Sequence, residues 1–597
     1  MKRFFISFFA TIAGIWASAL LGFIVLLMII GISITQLAVS NAVPLKVEKN
    51  SVLCLDLGCA IGERKAMPNL MDEVYGNTSS TVGLNDIIKS IRGAAKDKNI
   101  DGILLDCKGV EAGAATLKSI HDELKNFKES DKWILAYGDN YAQADYYLSS
   151  VADSIYLNPI GSVDIHGMAG SIMFFKELLD NVGVDIEVYK VGTYKSAVEP
   201  YILNDMSDAN REQIQAYISS VWHEIASDIA TNRSITEETI NQWADSVIYT
   251  YDNPQYIKDK VVDKLYYRHQ MEDVLCKLTG KESAKDLNLV DAIEYAATVT
   301  DETKRNAPNI AVLYAEGDIV DTNSGSSPMS GSSEGIVGDE MAPLIIEMAE
   351  DEDVDGLVLR VNSGGGSAFA SEQIWEALEV FKASGKPFVV SMGDYAASGG
   401  YYISSGADEI FAEPTTITGS IGIFGLKPTV KKALNKVGVN VSSVSTSPNG
   451  IFMSLYEPST PYQRVAFQSS VNRGYELFVG RCAKGRSKTV DEIKQIAEGR
   501  VWDAVTAKKI GLVDKLGSLD DAIKAVAKRL NTEEYNVHEY PEQTFDWWEE
   551  LLNMSSQYKT SVLSNELGDT YKYYQAIHKF GNMEPLQCRM IPIEVKL

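Results

Sequence analysis

The sequence is poor in the residues from which metal centres and disulfide frameworks are built. Its 597 residues hold six cysteines, at positions 54, 59, 107, 276, 482 and 588, and no two form a CxxC pair. Zinc ribbons, thioredoxin-like redox motifs and dense disulfide scaffolds are thereby excluded. An extracytoplasmic Cys54–Cys59 disulfide is one reading of the nearest pair; buried free thiols are the preferred one. Six scattered histidines make no HExxH, so metalloprotease chemistry has no support, and no metal, nucleotide or organic cofactor is expected. Positive charge is scarce as well. Fifty-five basic residues stand against 81 acidic ones, and the formal net charge of -26 repels a phosphate backbone. Nucleic acid is not an expected partner.

Charge of either sign is missing from one long stretch. After Lys2 and Arg3 nothing charged appears until Lys46, and Phe4 to Leu37 is mostly apolar. About 20 apolar residues cross a bilayer, whereas the apolar core of a cleaved signal peptide runs to roughly 7–15. Residues 1–45 therefore read as a cytosolic tip and retained transmembrane anchor, although Ser40-Asn41-Ala42 also fits a cleavage site. Basic residues before the anchor place the N-terminus in the cytosol. The expected location is the cell inner membrane, single-pass, with the remaining chain periplasmic or extracytoplasmic.

What remains is globular in composition, with 45% hydrophobic and 23% charged residues, and too long for one core. It is also written twice. Residues 133–150 read WILAYGDNYAQADYYLSS and 388–405 read FVVSMGDYAASGGYYISS, with Gly-Asp and Tyr-Tyr pairs at a constant offset of 255 (393 against 138, 401 against 146). Asn181-Val182-Gly183-Val184 answers Lys436-Val437-Gly438-Val439 at the same offset, and Val262-Asp263-Lys264-Leu265 answers Val513-Asp514-Lys515-Leu516. A period this long, sustained over both halves, marks duplicated domains. Short β-rich runs such as Ile134–Ala136, Ile155–Leu157, Leu357–Val361 and Phe388–Ser391 alternate with helical stretches such as Ala368–Ser384 and Ser518–Leu530. That alternation predicts an α/β fold with parallel sheets. The expected layout is a first repeat at 46–300, a second at 301–540, and a tail at 541–597 that fits neither. The polar segment Lys281–Asn309 joins the halves. Thr322–Glu334 is a Ser/Gly-rich loop, read as an inert surface loop or a lid.

Duplicated halves share a scaffold, so positions where they differ chemically carry the information. Ser398, followed by Gly399-Gly400, faces Gln143 followed by Ala144-Asp145. A serine before two glycines at a strand-to-helix turn exposes its hydroxyl and lets a substrate backbone approach, or is a plain turn. Asn362-Ser363-Gly364-Gly365-Gly366-Ser367 follows the strand Leu357–Val361, and its counterpart Lys108-Gly109-Val110-Glu111 has lost the glycine run. Three glycines can turn backbone amides toward one point, as an oxyanion hole requires. A simple turn is the other reading; a phosphate loop is poor without a following Gly-Lys-Ser/Thr. A nucleophilic serine needs a base, and no histidine lies near these motifs. A lysine serves when burial lowers its pKa, but composition alone does not choose which lysine.

Gly192-Thr193-Tyr194-Lys195-Ser196-Ala197-Val198-Glu199-Pro200-Tyr201 resembles the Lys-Ser-x-x-Glu-Pro segment of the long-form signal peptide peptidase A (protease IV) family. Asp394–Tyr401 and Thr418-Gly419-Ser420-Ile421-Gly422 resemble its nucleophile segment and the strand after it, and the likeness extends over essentially the whole chain. It implies a Ser/Lys dyad with Ser398 as nucleophile and Lys195 as general base. With that dyad, the amides of Gly365, Gly366 and Gly399 are the expected oxyanion hole, and the nearby hydroxyls of Ser196 and Ser420 are candidates to orient the lysine. Gly364 departs from the family's usual proline. The resemblance further implies tandem crotonase/Clp-protease-like domains, a homotetramer, and the degradation of cleaved signal peptides and other short apolar peptides. At the 255 offset Lys195 faces Gly450, so each half keeps what the other lacks, and the site is expected between the halves. A crotonase-type acyl-CoA enzyme and a catalytically inactive membrane scaffold are the alternatives.

Overall fold

The computed structural model describes residues 14, 22, 45, 47–65, 81–300, 303–322, 335–543, 586–591 and 594–596. The expected anchor apart from residues 14, 22 and 45, the loop at 323–334 and Trp547-Trp548 lie outside these residues. Among the described residues no helix is long and apolar enough to cross a membrane.

The first half is built on a six-stranded, wholly parallel sheet. Its central strands are β1 (Ser51–Asp56), β2 (Ile100–Cys107), β3 (Trp133–Gly138) and β4 (Ser154–Leu157), adjacent in that order. Leu289–Asp291 and Lys264–Leu265 close the two edges. Helices α1 (Ala114–Phe127) and α2 (Gln143–Ser149) follow β2 and β3. Parallel strands need a crossover, and these helices supply it while burying their apolar faces on the sheet. The strand Leu289–Asp291 and the helix Ala292–Ala296 fall within the segment read as a polar joint. The connection proper is therefore shorter than Lys281–Asn309, because a single buried valine, Val290, is enough to dock a three-residue edge strand.

The chain then sends out an arm. Strand β5 (Asp185–Lys190) leaves the first sheet altogether, and α3 (Asp208–Arg233) brings the chain back. The second half repeats the pattern with β6 (Asn309–Glu316), β7 (Asp318–Val320), β8 (Gly356–Ser363), β9 (Gly365–Ser367), β10 (Phe388–Ala397), β11 (Glu409–Ala412), β12 (Phe424–Thr429) and a last strand, β13 (Leu586–Arg589). Helices α4 (Ala368–Ala383), α5 (Gly399–Ser404) and α6 (Pro461–Gly485) pack around them. Strands β6, β8, β10 and β11 are parallel neighbours, as β1 to β4 are in the first half. The tandem α/β reading with parallel sheets is thus correct, as are the four strand runs and both helices singled out in the sequence.

A third sheet, in the order Gly335–Val337, β7, β9, β13, β12, β5, is where the halves meet. Strand β5 of the first half runs antiparallel to β12 of the second, from Lys190 opposite Phe424 to Asp185 opposite Thr429. The tail, for which the sequence suggests no role, supplies β13 to the same sheet. Polar contacts also fasten the halves elsewhere, among them a helix cap and a buried ion pair. Asp394 caps α1 from across the interface, its Oδ1 accepting from the amides of Ala115 (2.8 Å) and Thr116 (3.0 Å). Arg360 and Glu63, 1% and 2% exposed, form a buried ion pair at 2.9 Å, and Arg360 also donates to Ser391 Oγ and Met392 O.

All six cysteines are free thiols, so Cys54 and Cys59 are not joined; both are half-buried, and burial pushes the Cys54 thiol up to about 12.

Candidate active site

Strand β10 ends at Ala397 and α5 begins at Gly399, which leaves Ser398 on the bend between them with φ 57° and ψ -111°. A non-glycine residue in that region is strained, and the surroundings must hold it there. They do so from both sides: Ser398 N donates to Gly419 O at 2.7 Å, and Ser398 O accepts from Tyr402 N at 2.8 Å. The side chain is fully buried.

Lys195 arrives from the first half. Strand β5, clipped to β12, delivers the chain to Val191, whose amide donates to Ile423 O, and four residues on the lysine enters the second half. Its Nζ lies 2.7 Å from Ser398 Oγ, 3.0 Å from Ser420 Oγ and 3.1 Å from Ser420 O. With the side chain 1% exposed and no carboxylate among these contacts, desolvation pulls the amine from its usual 10.5 down to about 7. Two residues that stand 203 positions apart in the chain are therefore in contact, and burial favours the free-amine form of the lysine.

The clamp around Lys195 is not visible in the sequence. Glu498-Gly499-Arg500 folds over the lysine backbone: Tyr194 N donates to Glu498 O at 3.0 Å, Gly499 N donates to Ile421 O at 2.9 Å, and Ser420 N donates to Arg500 O at 2.7 Å. A Cβ on Gly499 would stand 2.6 Å from Lys195 Cβ, and one on Gly422 would stand 3.2 Å from its Cδ. Both glycines leave the channel through which the amine reaches the serine. The neighbouring Glu199 is buried and accepts from Ser207 Oγ (2.6 Å) and Asn210 Nδ2 (3.0 Å), tying the lysine segment to the start of α3.

Two of the expected roles need correction. Ser196 does not face the amine; its hydroxyl accepts from Gln213 Nε2 at 3.0 Å, because the one-residue step from Lys195 turns its side chain toward α3. Only Ser420 of the two candidates touches the lysine. The Gly365 amide donates to Ser363 Oγ at 3.1 Å, and that hydroxyl donates to Gly317 O at 2.6 Å. Gly365, with φ +95°, instead lets Gly399 N approach: a Cβ here would lie 2.6 Å from that nitrogen. Gly366 stands in the third sheet opposite Ile319 on one side and Cys588 on the other, and Gly399 follows the serine as the first residue of α5.

The first half shows what the same scaffold does without a serine. Gln143, opposite Ser398 in the repeat, accepts through Oε1 from the amides of His166 and Gly167 (2.9 Å each) and donates to Gly167 O at 2.8 Å. Asp145, opposite Gly400, accepts from the amides of Gly109 and Val110 at 3.1 Å each. The loop that corresponds to the glycine run thus has its amides filled by an internal carboxylate. Burial raises the pKa of Asp145, as an enclosed anion requires.

Among the described residues one group, His121, Asp122 and Asp228, gathers three potential metal ligands. Lys118 pairs with both carboxylates, at 2.6 and 3.1 Å, which makes the cluster an ion-pair network.

The profile of peptidase family S49 matches residues 126–282 and 380–533, one match in each half. Protease 4 of Salmonella typhi is 35% identical over 536 residues, covering 87% of this chain and 85% of that protein. Protease 4 of Haemophilus influenzae is 35% identical over 514 residues, 84% of this chain and 81% of that one. The chloroplastic serine protease SPPA of Arabidopsis thaliana is 27% identical over 488 residues, 81% and 70% of the two chains. Since the matches fall on both repeats and the likeness runs through nearly the whole length, the chain belongs to peptidase family S49, as a serine peptidase of the long, duplicated form.

Proposed function

We propose that the protein is a Ser/Lys-dyad endopeptidase that cleaves short apolar peptides, signal peptides left after secretion among them, at a membrane surface. The observation that carries the reading is the 2.7 Å approach of a desolvated Lys195 amine to a strained, buried Ser398 hydroxyl. Neutral Lys195 takes the Ser398 proton as Oγ attacks the peptide carbonyl carbon. The amides of Gly366 and Gly399 receive the oxyanion, and protonated Lys195 then gives its proton to the leaving amine. Ser420, contacting Nζ through its hydroxyl and its carbonyl, holds the amine in line at each stage. Water, deprotonated by the same lysine, releases the acyl-enzyme.

Anchoring through residues 4–37, with the catalytic halves on the extracytoplasmic side, keeps this site where released apolar peptides collect. A homotetramer is part of the proposal. In the repeat, β5 corresponds to residues 440–445, which form no strand here, and Val444 among them is 99% exposed. An arm that pairs in one half and has no strand partner in the other suits head-to-tail assembly of copies.

A fluorophosphonate probe on the purified protein tests the chemistry. Wild type should label at one serine and Ser398→Ala should not. Equal labelling of both, or none of wild type, overturns the reading. Lys195→Ala should reduce peptide hydrolysis by about 10²–10⁴, the usual contribution of a positioned general base.

A further inference from the structure

The turn Glu498–Arg500 holds the lysine segment through its main chain, and its one large cation reaches the same segment by a second route. Arg500 belongs to the second half. Its guanidinium lies over two rings, 4.7 Å from the centroid of Tyr194 in the first half and 4.4 Å from that of Trp502 in the second. Nη1 donates to Tyr194 Oη at 3.1 Å, and Nη2 pairs with Glu212, near the start of α3, at 2.9 Å. Tyr194 Oη in turn donates to Glu212 at 3.3 Å. A guanidinium over aromatic faces keeps its planar fork of donors free for such bonds. Trp502 is itself fixed: Nε1 donates to Ile496 O at 3.0 Å, and its backbone stands opposite Thr418.

Tyr194 is the residue before Lys195. Its amide bonds to Glu498 O, its carbonyl accepts from Gln213 Nε2 at 3.2 Å, and Gln213 Oε1 accepts from Val501 N at 3.1 Å. The carbonyl of Arg500 meanwhile accepts from Ser420 N, and Ser420 is the residue whose hydroxyl and carbonyl both touch Lys195 Nζ. Arg500 thus stands on two paths to the base, one through Tyr194 to the lysine backbone and one through Ser420 to the amine. Its ion pair does not account for it. Glu212 is 56% exposed, and such pairs contribute little, whereas Arg500 Nε is buried with no hydrogen-bond partner among the described residues, which costs stability.

The first half makes the same turn without these residues. At the offset of 251 (513 against 262), Glu498-Gly499-Arg500 faces Val247-Ile248-Tyr249. Glu498 and Val247 both take left-handed backbone, with φ 55° and 50°. The kink therefore belongs to the scaffold, while the glycine and arginine after it occur in the half that carries Ser398. Tyr249, in the place of Arg500, is 58% exposed.

We infer that Arg500 is a positioning residue for the Lys195 base, holding its backbone through Tyr194 and its amine through Ser420 across the junction of the halves. The inference rests on the Ser398–Lys195 dyad proposed above. Without the Arg500 side chain the lysine segment loosens and water reaches the amine, so the base loses alignment and becomes harder to deprotonate. A residue that only stabilised the fold would lower the amount of active protein equally at every pH.

The test measures fluorophosphonate labelling against pH, with kcat and KM for an apolar peptide, on full-length wild type, Arg500→Ala and Arg500→Lys. Arg500→Ala should lower kcat at pH 7 by about tenfold to a hundredfold and leave KM within about twofold. It should also move the midpoint of the labelling profile up by about one pH unit or more, toward that of an ordinary lysine. Arg500→Lys, which keeps a cation over the rings but not the fork, should fall between the two. Should Arg500→Ala not fold, Arg500→Lys decides, and its midpoint must be raised. A wild-type midpoint in every folded variant overturns the inference, whatever the change in rate. Absence of labelling in wild type, or labelling that survives in Ser398→Ala, would instead sink the dyad, and this inference with it.

Discussion

The low pKa of Lys195 makes the pH dependence of the protein calculable in both rate and stability. With a midpoint of about 7, about a tenth of the lysines are neutral at pH 6 and about nine-tenths at pH 8. The labelling rate of Ser398 should therefore rise about tenfold between those values. Stability follows with a definite sign. The unfolded lysine keeps its proton up to about 10.5, while the folded one gives it up near 7. Between the two the unfolded state holds more protons, so raising the pH stabilises the fold. Linkage puts this gain at about 2 kcal/mol from pH 7 to pH 9. Glu413, pushed up to about 7 by its own burial, titrates in the same range, so the comparison is made against Lys195→Met, in which Glu413 is still present. Urea unfolding of both proteins at the two pH values should show the advantage of Lys195→Met shrinking by about 2 kcal/mol as pH rises. A labelling rate that is flat from pH 6 to 8, together with an unchanged stability difference, would refute a desolvated amine.

Three further outcomes are expected. Gly499→Ala, which sets a methyl 2.6 Å from Lys195 Cβ at a φ of +79°, should cut peptide hydrolysis by about a hundredfold while leaving the protein folded, because small displacements of a base are costly; kcat and circular dichroism check it. Glu63→Ala leaves Arg360 charged and buried without its partner, and should cost about 3–5 kcal/mol in denaturant unfolding. Asp394→Ala removes the cap that α1 receives from the other half and should cost about 1 kcal/mol, with hydrogen exchange rising first at the amides of Ala115 and Thr116.

The parallel sheets are legible in the sequence because each strand carries its own signal in a run such as Leu357–Val361, and the 255 offset lets one half be read against the other. The contact of Lys195 with Ser398 is legible only through the resemblance. The arm that makes it, β5 against β12, is an antiparallel pairing between strands about 240 residues apart, and nothing local in Asp185–Lys190 names its partner. The same holds for Glu498–Arg500, which grips the lysine segment through main-chain bonds and through the Arg500 guanidinium on Tyr194. Ser196 misleads because adjacency in sequence says nothing about side-chain direction; its partner is Gln213, one turn into a helix. Gly365 misleads because a glycine run shows where amides can turn, but not that Ser363 takes one of them. The tail strand leaves the faintest trace, four residues with no periodicity, paired by main-chain ladders on both sides.

The clamp on Lys195 also sets an order of events during synthesis. The lysine leaves the ribosome 203 residues before the serine, and the Glu498–Arg500 turn that fixes it follows about a hundred residues later still. At about 5–20 residues per second, the interval from base to clamp lasts roughly 15–60 seconds. Throughout that time the nascent chain carries a first half whose loop amides are already filled by Asp145 and, in the proposed dyad, a base with nothing to act on. With the dyad proposed above, a peptidase divided in this way is unarmed while its own unfolded segments are the nearest peptides, and becomes competent only after the clamp has been made.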